Sequence, residues 1–157
     1  MSDLVLPAIR EFLKQQDVPF REVHHEPTLT SEDSARARGE DLKVGGKALL
    51  MRADDKTLLF VLPADRRADS AAIRRELGVK KLRFVTKEEL LELTGLVPGS
   101  VPPFGQPILP FQLYVDAGIR ENERIAFNAG SLTDSIILAV SDYLRIAQPT
   151  ACFAFAE

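Results

Sequence analysis

Helix start and stop signals cut this sequence into short segments, and no other feature restricts the possible folds as strongly. Thr30-Ser31-Glu32-Asp33 and Thr86-Lys87-Glu88-Glu89 match the pattern in which a threonine caps the first turn of a helix and an acidic residue three positions later caps the threonine in return. Gly39, Gly78 and Gly95 stand where a glycine commonly ends a helix. The chain is therefore predicted to alternate short helices with short strands.

Apolar runs between these signals predict the strands. Residues 47–51 and 57–62 flank a turn and are expected to form a hairpin. Three further strands, at 112–115, 124–127 and 135–140, follow one another through short turns in the second half of the chain. Val5, Ile9, Phe12 and Leu13 recur at helical spacing and predict a first helix. The remaining elements are predicted as strands at 20–25 and 82–85, a helix from Asp69 or Ser70 to Gly78, and a last helix that is capped by Ser141.

This order of elements indicates a mixed α/β fold with a mixed, largely antiparallel sheet or partial barrel surrounded by helices. The length of 157 residues favours a single domain over residues 1–157. No Gly-x-Gly-x-x-Gly pattern follows a strand, and no phosphate loop of the Walker type occurs. A doubly wound nucleotide-binding fold is therefore not expected.

Cysteine content and charge limit the possible functions. Cys152 is the single cysteine, which excludes an internal disulfide and a multi-cysteine zinc site and fits a reducing compartment. Residues 1–16 contain charged side chains and no continuous apolar run, so they do not look like a signal peptide, and no stretch is long enough to cross a membrane. These features predict a cytoplasmic protein. With a net charge of -3, any contact with nucleic acid must come from a local patch.

Lys47 is the first candidate for chemistry, because it enters an apolar strand directly after Gly45-Gly46. Along that strand it shares a face with Leu49 and Met51. A lysine on an apolar face is unusual, and paired glycines let another backbone or a ligand approach closely. The alternative is a lysine at the end of a strand with its amine in water.

Two backbone-rich loops are candidates for the rest of a site. Residues 95–110 hold three glycines and five prolines, and a long stiff loop inside a compact domain is often functional. Such a loop could present N–H groups to an oxyanion or a ribose, or it could be a rigid connection. Asn128-Ala129-Gly130-Ser131, between two predicted strands, is either a turn or a second backbone wall.

The two histidines do not predict a metal site. His24 and His25 are adjacent on a predicted strand and point to opposite faces, so they cannot bind one ion together. A Ser-His-Asp triad that uses His25 is conceivable, but no Gly-x-Ser-x-Gly elbow accompanies it. A polar histidine with a structural role is the better interpretation, and any activity is expected to be independent of metal.

The clearest basic region runs from residue 66 to residue 83, with seven basic side chains and two acidic ones. It is either a solvated helix face with its adjoining loop or a patch that contacts phosphates. The residues considered for phosphate contact, called the basic segment below, are Arg66, Arg67, Arg74, Arg75, Lys80 and Lys81.

Taken together and in order, these stretches resemble the YbaK/prolyl-tRNA-synthetase-associated editing-domain family. The matching pieces are His25-Glu26-Pro27 with Thr30 and Glu32, Lys47, Leu62-Pro63-Ala64-Asp65, Leu77-Gly78-Val79-Lys80-Lys81, Leu93-Thr94-Gly95, Gly99-Ser100-Val101-Pro102-Pro103-Phe104-Gly105, Tyr114-Val115-Asp116 and Asn128-Ala129-Gly130. Each piece is short, but their order and spacing over residues 12–149 make the set specific.

The resemblance implies a freestanding deacylase that hydrolyses the ester between a wrong amino acid and the terminal ribose of tRNA. It implies Lys47 as the catalytic residue, with no metal and no organic cofactor. With tRNA as the substrate, the basic segment is the expected place of phosphate contact. The partners are aminoacyl-tRNA and, as a candidate, an aminoacyl-tRNA synthetase. The implied substrate-binding residues are His25, Thr30, Gly99, Ser100, Pro103, Phe104, Gly105, Asn128, Ala129 and Gly130.

Two departures from the family pattern bear on specificity. The branch that clears alanine has an asparagine after the lysine, where this chain has Ala48, and a histidine-proline pair where this chain has Ala129-Gly130. The cysteine-specific branch has a different glycine-rich pattern in both loops. The sequence therefore favours a branch that acts on a small residue such as serine, threonine or alanine.

The implied chemistry agrees with the residue types. Ester hydrolysis builds negative charge on the carbonyl oxygen, which a buried ammonium or backbone N–H groups can stabilise. Water is the expected attacking group, with neutral Lys47 or the ribose hydroxyl as its base. Two other classes stay open: a non-catalytic tRNA- or RNA-binding module associated with a tRNA synthetase, and a hydrolase of small-molecule esters.

Overall fold

Two β-sheets that share a core, with helices around them, make up residues 2–157, the part of the chain that this computed structural model describes. The helices are α1 (Val5–Gln15), α2 (Ser31–Arg38), α3 (Ser70–Leu77), α4 (Lys87–Thr94) and α5 (Val140–Ala147). The strands are β1 (Arg21–His24), β2 (Gly46–Ala53), β3 (Lys56–Pro63), β4 (Leu82–Phe84), β5 (Leu113–Asp116), β6 (Arg124–Asn128), β7 (Asp134–Ala139) and β8 (Ala151–Phe153). Within residues 2–157, none of the helices has the length and apolar character that crossing a bilayer requires.

The strand pairing confirms the mixed α/β class. The small sheet has the order β1-β7-β6 and is antiparallel throughout. The large sheet has the order β4-β2-β3-β5-β8, in which β2 pairs antiparallel with β3 and β4, while β5 pairs parallel with both β3 and β8. The strands therefore divide between two sheets, and the described residues do not close a barrel.

Local capping explains where the helices begin. The Thr30 side chain accepts a hydrogen bond from the backbone N–H of Asp33, and the Asp69 side chain accepts from two N–H groups in the first turn of α3. Thr86 and Glu89 form the predicted capping box at the start of α4. The predicted terminal glycines end α2, α3 and α4.

Two predictions about the C-terminal region were wrong or incomplete. Ser141 does not cap the last helix, because α5 already begins at Val140 and Ala139 precedes it without a side-chain hydrogen bond. Strand β8, which pairs with β5, was not predicted. A three-residue edge strand leaves too short a pattern to be read from sequence.

The large sheet is buried on both faces around the hairpin of β2 and β3. Leu50 and Val61 pack into the core that the two sheets share, whereas Met51 and Phe60 pack into a second core beneath α3. This alternation is the one that the period of a strand predicts. The hairpin therefore gives the molecule a rigid centre, and the end of β2 at Gly46 is fixed in space.

The glycine–proline loop between α4 and β5 is held by buried aromatic side chains. Phe104 is 1% exposed and makes edge-to-face ring contacts with Phe12, Phe127 and Tyr143. The Tyr143 hydroxyl donates a hydrogen bond of 2.6 Å to the carbonyl oxygen of Pro103. This half of the loop is part of the core.

Replacing Tyr143 by Phe is expected to lower the free energy of unfolding by about 1–3 kcal/mol, because it leaves the Pro103 carbonyl buried without a donor. Tyr114→Phe is the matched control, since its hydroxyl makes no hydrogen bond to any described residue. Urea unfolding of both variants measures the difference. Equal stability of the two variants would contradict the role assigned to the Tyr143 hydroxyl.

Candidate functional site

A cavity of about 200 Å³ lies between α2, the start of β2 and the glycine–proline loop. The loop before α2 contributes Thr28 and Thr30, and the inner face of α2 contributes Ser34 and Arg38. Residues 45–49 of the β2 end form another wall. The cavity is completed by Ala64, Gly99, Val101 and Asn128.

Lys47 is half-buried in this cavity and its amine is held in place. Lys47 pairs with Leu62 in the β2–β3 hairpin, and the chain turns back over the strand end after Pro63. That turn brings the carbonyl oxygen of Arg66 to 2.6 Å from the Lys47 Nζ, which donates a hydrogen bond to it. One N–H of the ammonium group is thereby used, and the others stay available to a ligand.

The surroundings of Lys47 lower its pKa from the ordinary value. Burial is the main cause, because it disfavours the charged amine, and the nearby positive charge of Arg67 acts in the same direction. The carboxylates of Asp65 and Glu32 oppose the shift. The net effect is a lowered pKa for the Lys47 amine in the cavity.

Gly45 and Gly46 are required because other parts of the chain pack directly against them. A Cβ atom at Gly46 would lie 2.6 Å from the Ile125 side chain, and one at Gly45 would lie 2.9 Å from the Ala64 Cβ. The sequence had left open whether a ligand or another part of the chain approaches these glycines. Both contacts come from neighbouring elements, which press the start of β2 against β6 and the end of β3.

The two backbone-rich loops meet at the cavity. The Asn128 Nδ2 donates a hydrogen bond of 2.8 Å to the carbonyl oxygen of Gly99. The backbone N–H of Gly130 donates to the carbonyl oxygen of Ser100 at 2.9 Å. The sequence predicted that these loops share a pocket with Lys47, and Gly99 and Asn128 do line the same cavity as Lys47.

A buried arginine ties the cavity walls together. Arg38 is 8% exposed, and its Nε and Nη2 donate to the Ser135 Oγ at 2.9 Å and the Asn128 Oδ1 at 3.1 Å. The Ser135 hydroxyl also lies 2.8 Å from the His25 Nε2. Burial lowers the pKa of Arg38 to about 10, so the guanidinium is still charged at neutral pH.

The structure gathers some of the predicted site residues and separates others. Lys47, Thr30, Gly99 and Asn128 line the cavity. His25 does not line it, and its ring bonds to Ser135, which in turn bonds to the lining residues Arg38 and Asn128. Six predicted residues do not line it, because they are in the core or in loop packing: Ser100, Pro103, Phe104, Gly105, Ala129 and Gly130.

Sequence reasoning missed the face of α2 that lines the cavity. Ser31, Ser34 and Arg38 are spaced by three and four residues, so they form one stripe along the helix. This spacing was visible in the sequence, but a stripe of polar side chains is more typical of a solvent-facing surface. The burial of Arg38 depends on β6 and β7, which are distant in sequence.

The basic segment lies beside the cavity and along α3. Arg66 and Arg67 follow the end of β3 next to Lys47, and Arg66 forms an ion pair with Glu121 at 2.9 Å. The other four side chains of the segment are exposed, on the last turn of α3 and the loop after it. A cationic surface therefore leads away from the cavity on the Lys47 side.

Within residues 2–157, no group of three or more His, Cys, Asp or Glu side chains is placed to hold a metal ion. The cavity itself is lined in this part of the chain by hydroxyls, backbone, two cations and apolar groups, without a histidine or a carboxylate. The cavity is therefore suited to bind groups whose oxygen atoms accept hydrogen bonds, such as esters and hydroxyls.

Comparison with known proteins identifies a matching family and similar sequences. The profile of the aminoacyl-tRNA editing domain family matches residues 25–146. The chain is 38% identical over 143 residues to the multifunctional Ser/Thr-tRNA deacylase ProXp-y of Escherichia coli (strain K12), which covers 87% of this chain and 84% of that protein. It is also 37% identical over 100 residues to the proline–tRNA ligase of Shouchella clausii, which covers 64% of this chain and 17% of the ligase.

A solved structure has the same fold. A protein described as a candidate trans-editing enzyme for prolyl tRNA synthetase superposes with a TM-score of 0.83, covering 98% of this chain and 97% of that one. The sequence identity of 22% restricts this likeness to the fold.

The charges around Lys47 predict how its pKa responds to substitution. Lys47 is expected to titrate below its ordinary value of 10.5. Arg67→Gln should raise that pKa, because it removes a repelling positive charge, and Asp65→Asn should lower it further, because it removes an attracting negative charge. NMR of ¹³C-methylated lysines measures the titration. A Lys47 pKa at or above 10.5, or shifts of the reverse sign in the two variants, would contradict this description.

Proposed function

The chain belongs to the aminoacyl-tRNA editing domain family, and from this premise we propose that it is a freestanding deacylase that removes a small wrong amino acid from mischarged tRNA. The amino acid is of the serine, threonine or alanine class. We propose that residues 1–157 act as one editing domain in the cytoplasm, where aminoacyl-tRNA is used. A synthetase is a candidate partner, because a segment of a proline–tRNA ligase is similar to this chain.

The observation that carries the proposal is the placement of Lys47. Its half-buried amine is fixed by the Arg66 carbonyl in a cavity of about 200 Å³ that Gly99 and Asn128 also line. A cavity of this size can admit the aminoacyl end of a tRNA but not its helical stem. The stem must stay outside, where Arg67 and the rest of the basic segment begin.

Ester hydrolysis at this site needs one group to stabilise charge and one to orient water. Water adds to the ester carbonyl carbon, and the oxygen that becomes negative is stabilised by the Lys47 ammonium through its unused N–H groups. The tetrahedral intermediate then breaks its bond to the ribose oxygen. That oxygen takes up a proton, and the free amino acid and uncharged tRNA are released.

The base for the attacking water is best assigned to the substrate. The Lys47 Nζ donates a hydrogen bond to the Arg66 carbonyl, and as the group that stabilises the oxyanion it acts as an ammonium, which cannot accept a proton. No histidine or carboxylate of the described residues lines the cavity. The adjacent ribose hydroxyl of the terminal nucleotide is therefore the group that orients the water, and it acts as a relay that takes a proton from the water as it passes its own proton to the leaving ribose oxygen.

Two other functions make different demands on the structure. A non-catalytic tRNA- or RNA-binding module would use the basic segment without needing a half-buried lysine in a cavity. A hydrolase of small-molecule esters would use Lys47 without needing the basic segment. The deacylase uses both, and Lys47 in its cavity favours it over the binding module.

Lys47→Ala is expected to fold and to lose about 10²–10³ in the rate of deacylation, because one group that stabilises the oxyanion is removed. The measurement is single-turnover hydrolysis of a tRNA that has been mischarged with serine or with threonine. Lys56→Ala, at the exposed far end of the same hairpin, is the matched control. A well-folded Lys47→Ala variant with nearly normal turnover would refute the catalytic assignment.

Deacylation is expected to be independent of metal, because the residues that line the cavity include no histidine, cysteine or carboxylate ligand among the described part of the chain. Dialysis against a strong chelator should leave the rate unchanged. Activity that is lost on dialysis and restored by zinc would contradict the proposed mechanism.

The basic segment is expected to contact the phosphates of the tRNA acceptor stem. Changing Arg74, Arg75, Lys80 and Lys81 to Gln should raise KM for charged tRNA and leave the hydrolysis of bound substrate similar, because phosphate contacts position the substrate. Binding should weaken with salt by a logarithmic slope of about −0.7 to −0.9 per phosphate contacted.

The control for this experiment is the pair Lys14→Gln and Arg145→Gln, exposed on α1 and α5. An unchanged KM and an unchanged salt slope in the fourfold variant would assign the basic segment to ordinary solvated surface.

A further inference from the structure

We propose that Arg38, Thr28 and Ser34 form a subsite that binds the side-chain hydroxyl of a seryl or threonyl group. This inference rests on the proposed function. It identifies the side-chain hydroxyl as the group by which the site recognises its substrate. The three residues are called the hydroxyl subsite below. They are distinct from Lys47, which acts on the ester.

The hydroxyl subsite is contiguous and buried. Ser34 and Arg38 are one helical turn apart on the face of α2 that lines the cavity, and the Ser34 hydroxyl donates to the Thr28 Oγ1 at 2.8 Å. Thr28 and Ser34 are each 6% exposed, and Arg38 is 8% exposed. Polar side chains at this depth are normally satisfied by partners, so an unused donor among them is informative.

Arg38 has such an unused donor. Its Nε and Nη2 bond to Ser135 and Asn128, whereas Nη1 makes no hydrogen bond to any described residue. No side-chain nitrogen or oxygen of the described residues is both shut off from solvent and without a partner, so Nη1 has access to solvent, and Arg38 lines the cavity. It lies beside Gly45, another lining residue, where a Cβ atom would be 3.5 Å from it.

The free groups of the subsite match a hydroxyl. Nη1 can only donate, and so it requires an oxygen acceptor. Thr28 accepts from Ser34 and can still donate or accept at the cavity. A substrate hydroxyl can accept from Nη1 and donate to Thr28 at the same time. A methyl group in that place would leave Nη1 without water and without a partner, which disfavours it.

The other polar groups of the substrate fit this subsite less well. The α-ammonium group of an aminoacyl ester is a cation and is repelled by Arg38. The ester carbonyl must lie near Lys47, whose amine is anchored to the segment after β3, whereas Arg38 is anchored to β6 and β7. The two cations are thus fixed to different walls, which assigns charge stabilisation to Lys47 and recognition of the side chain to Arg38.

The test compares substrates that differ only in the hydroxyl. One tRNA is chemically acylated with serine or with 2-aminobutyrate, in which a methyl group replaces the serine hydroxyl, and likewise with threonine or valine. The wild-type protein should show kcat/KM about tenfold to a hundredfold higher for serine and for threonine than for the matched methyl analogue, because a hydrogen bond to a charged donor is lost.

Variants then assign the preference to the subsite. Arg38→Met and Thr28→Val should reduce the ratio of serine to 2-aminobutyrate towards one. Arg36→Met, on the exposed side of α2, should keep the wild-type ratio. If Arg38→Met does not fold, the wild-type ratios and Thr28→Val still decide the question.

The outcomes separate this inference from the deacylase proposal. Equal wild-type rates for each hydroxyl and methyl pair would overturn the hydroxyl subsite while leaving the deacylase intact. An equal loss on all four substrates in Arg38→Met and Thr28→Val would also overturn it, because it would show a general role in structure or charge stabilisation. A wild-type protein that hydrolyses none of the four esters would overturn the deacylase and the subsite together.

Discussion

The arrangement of the cavity walls depends on the hydrogen bonds that stabilise one buried positive charge. The guanidinium of Arg38 is almost fully removed from water and forms no ion pair with a carboxylate of the described residues. Burying a charge in this way is costly unless hydrogen bonds compensate. The bonds to Ser135 and Asn128 provide that compensation, and they also join α2 to the small sheet. Asn128 extends the connection to Gly99. One network therefore fixes three walls of the cavity relative to one another.

The fourth wall is set by the large sheet. Because the β2–β3 hairpin is buried on both faces, the start of β2 cannot shift without disturbing two cores. Gly45 and Gly46 allow that strand end to sit directly against Ala64 and Ile125. Lys47 follows immediately, so its position is determined by packing. Burial then lowers its pKa, and the Arg66 carbonyl orients its amine. The position of Lys47 is thus a consequence of rigid strand geometry.

Local structure could be predicted from the sequence, whereas the long-range contacts could not. The caps at Thr30, Asp69 and Thr86 act within one helical turn, and they fixed the helix boundaries correctly. The parallel pairing of β5 with β3 and β8 joins segments far apart in the chain, and no local pattern signals it. For the same reason the division into two sheets became visible only in three dimensions.

The site shows the same limit. Lys47, Gly99 and Asn128 were predicted to share a pocket, and they line one cavity. Phe104, in the same loop, was predicted to bind substrate but is buried among aromatic rings, because a loop motif does not reveal which of its residues face inward. Arg38 was overlooked, since its burial depends on Ser135, 97 positions away.

The most direct test of this account is to locate the bound aminoacyl end of the substrate. An analogue of terminal adenosine that carries serine through an amide bond cannot be hydrolysed and can be titrated into the ¹⁵N-labelled protein. The account predicts that amide shifts concentrate at Gly45, Gly46, Lys47, Gly99 and Asn128, the lining residues of the cavity. Shifts that instead concentrate in the separate groove between Phe111 and Thr150 would contradict it.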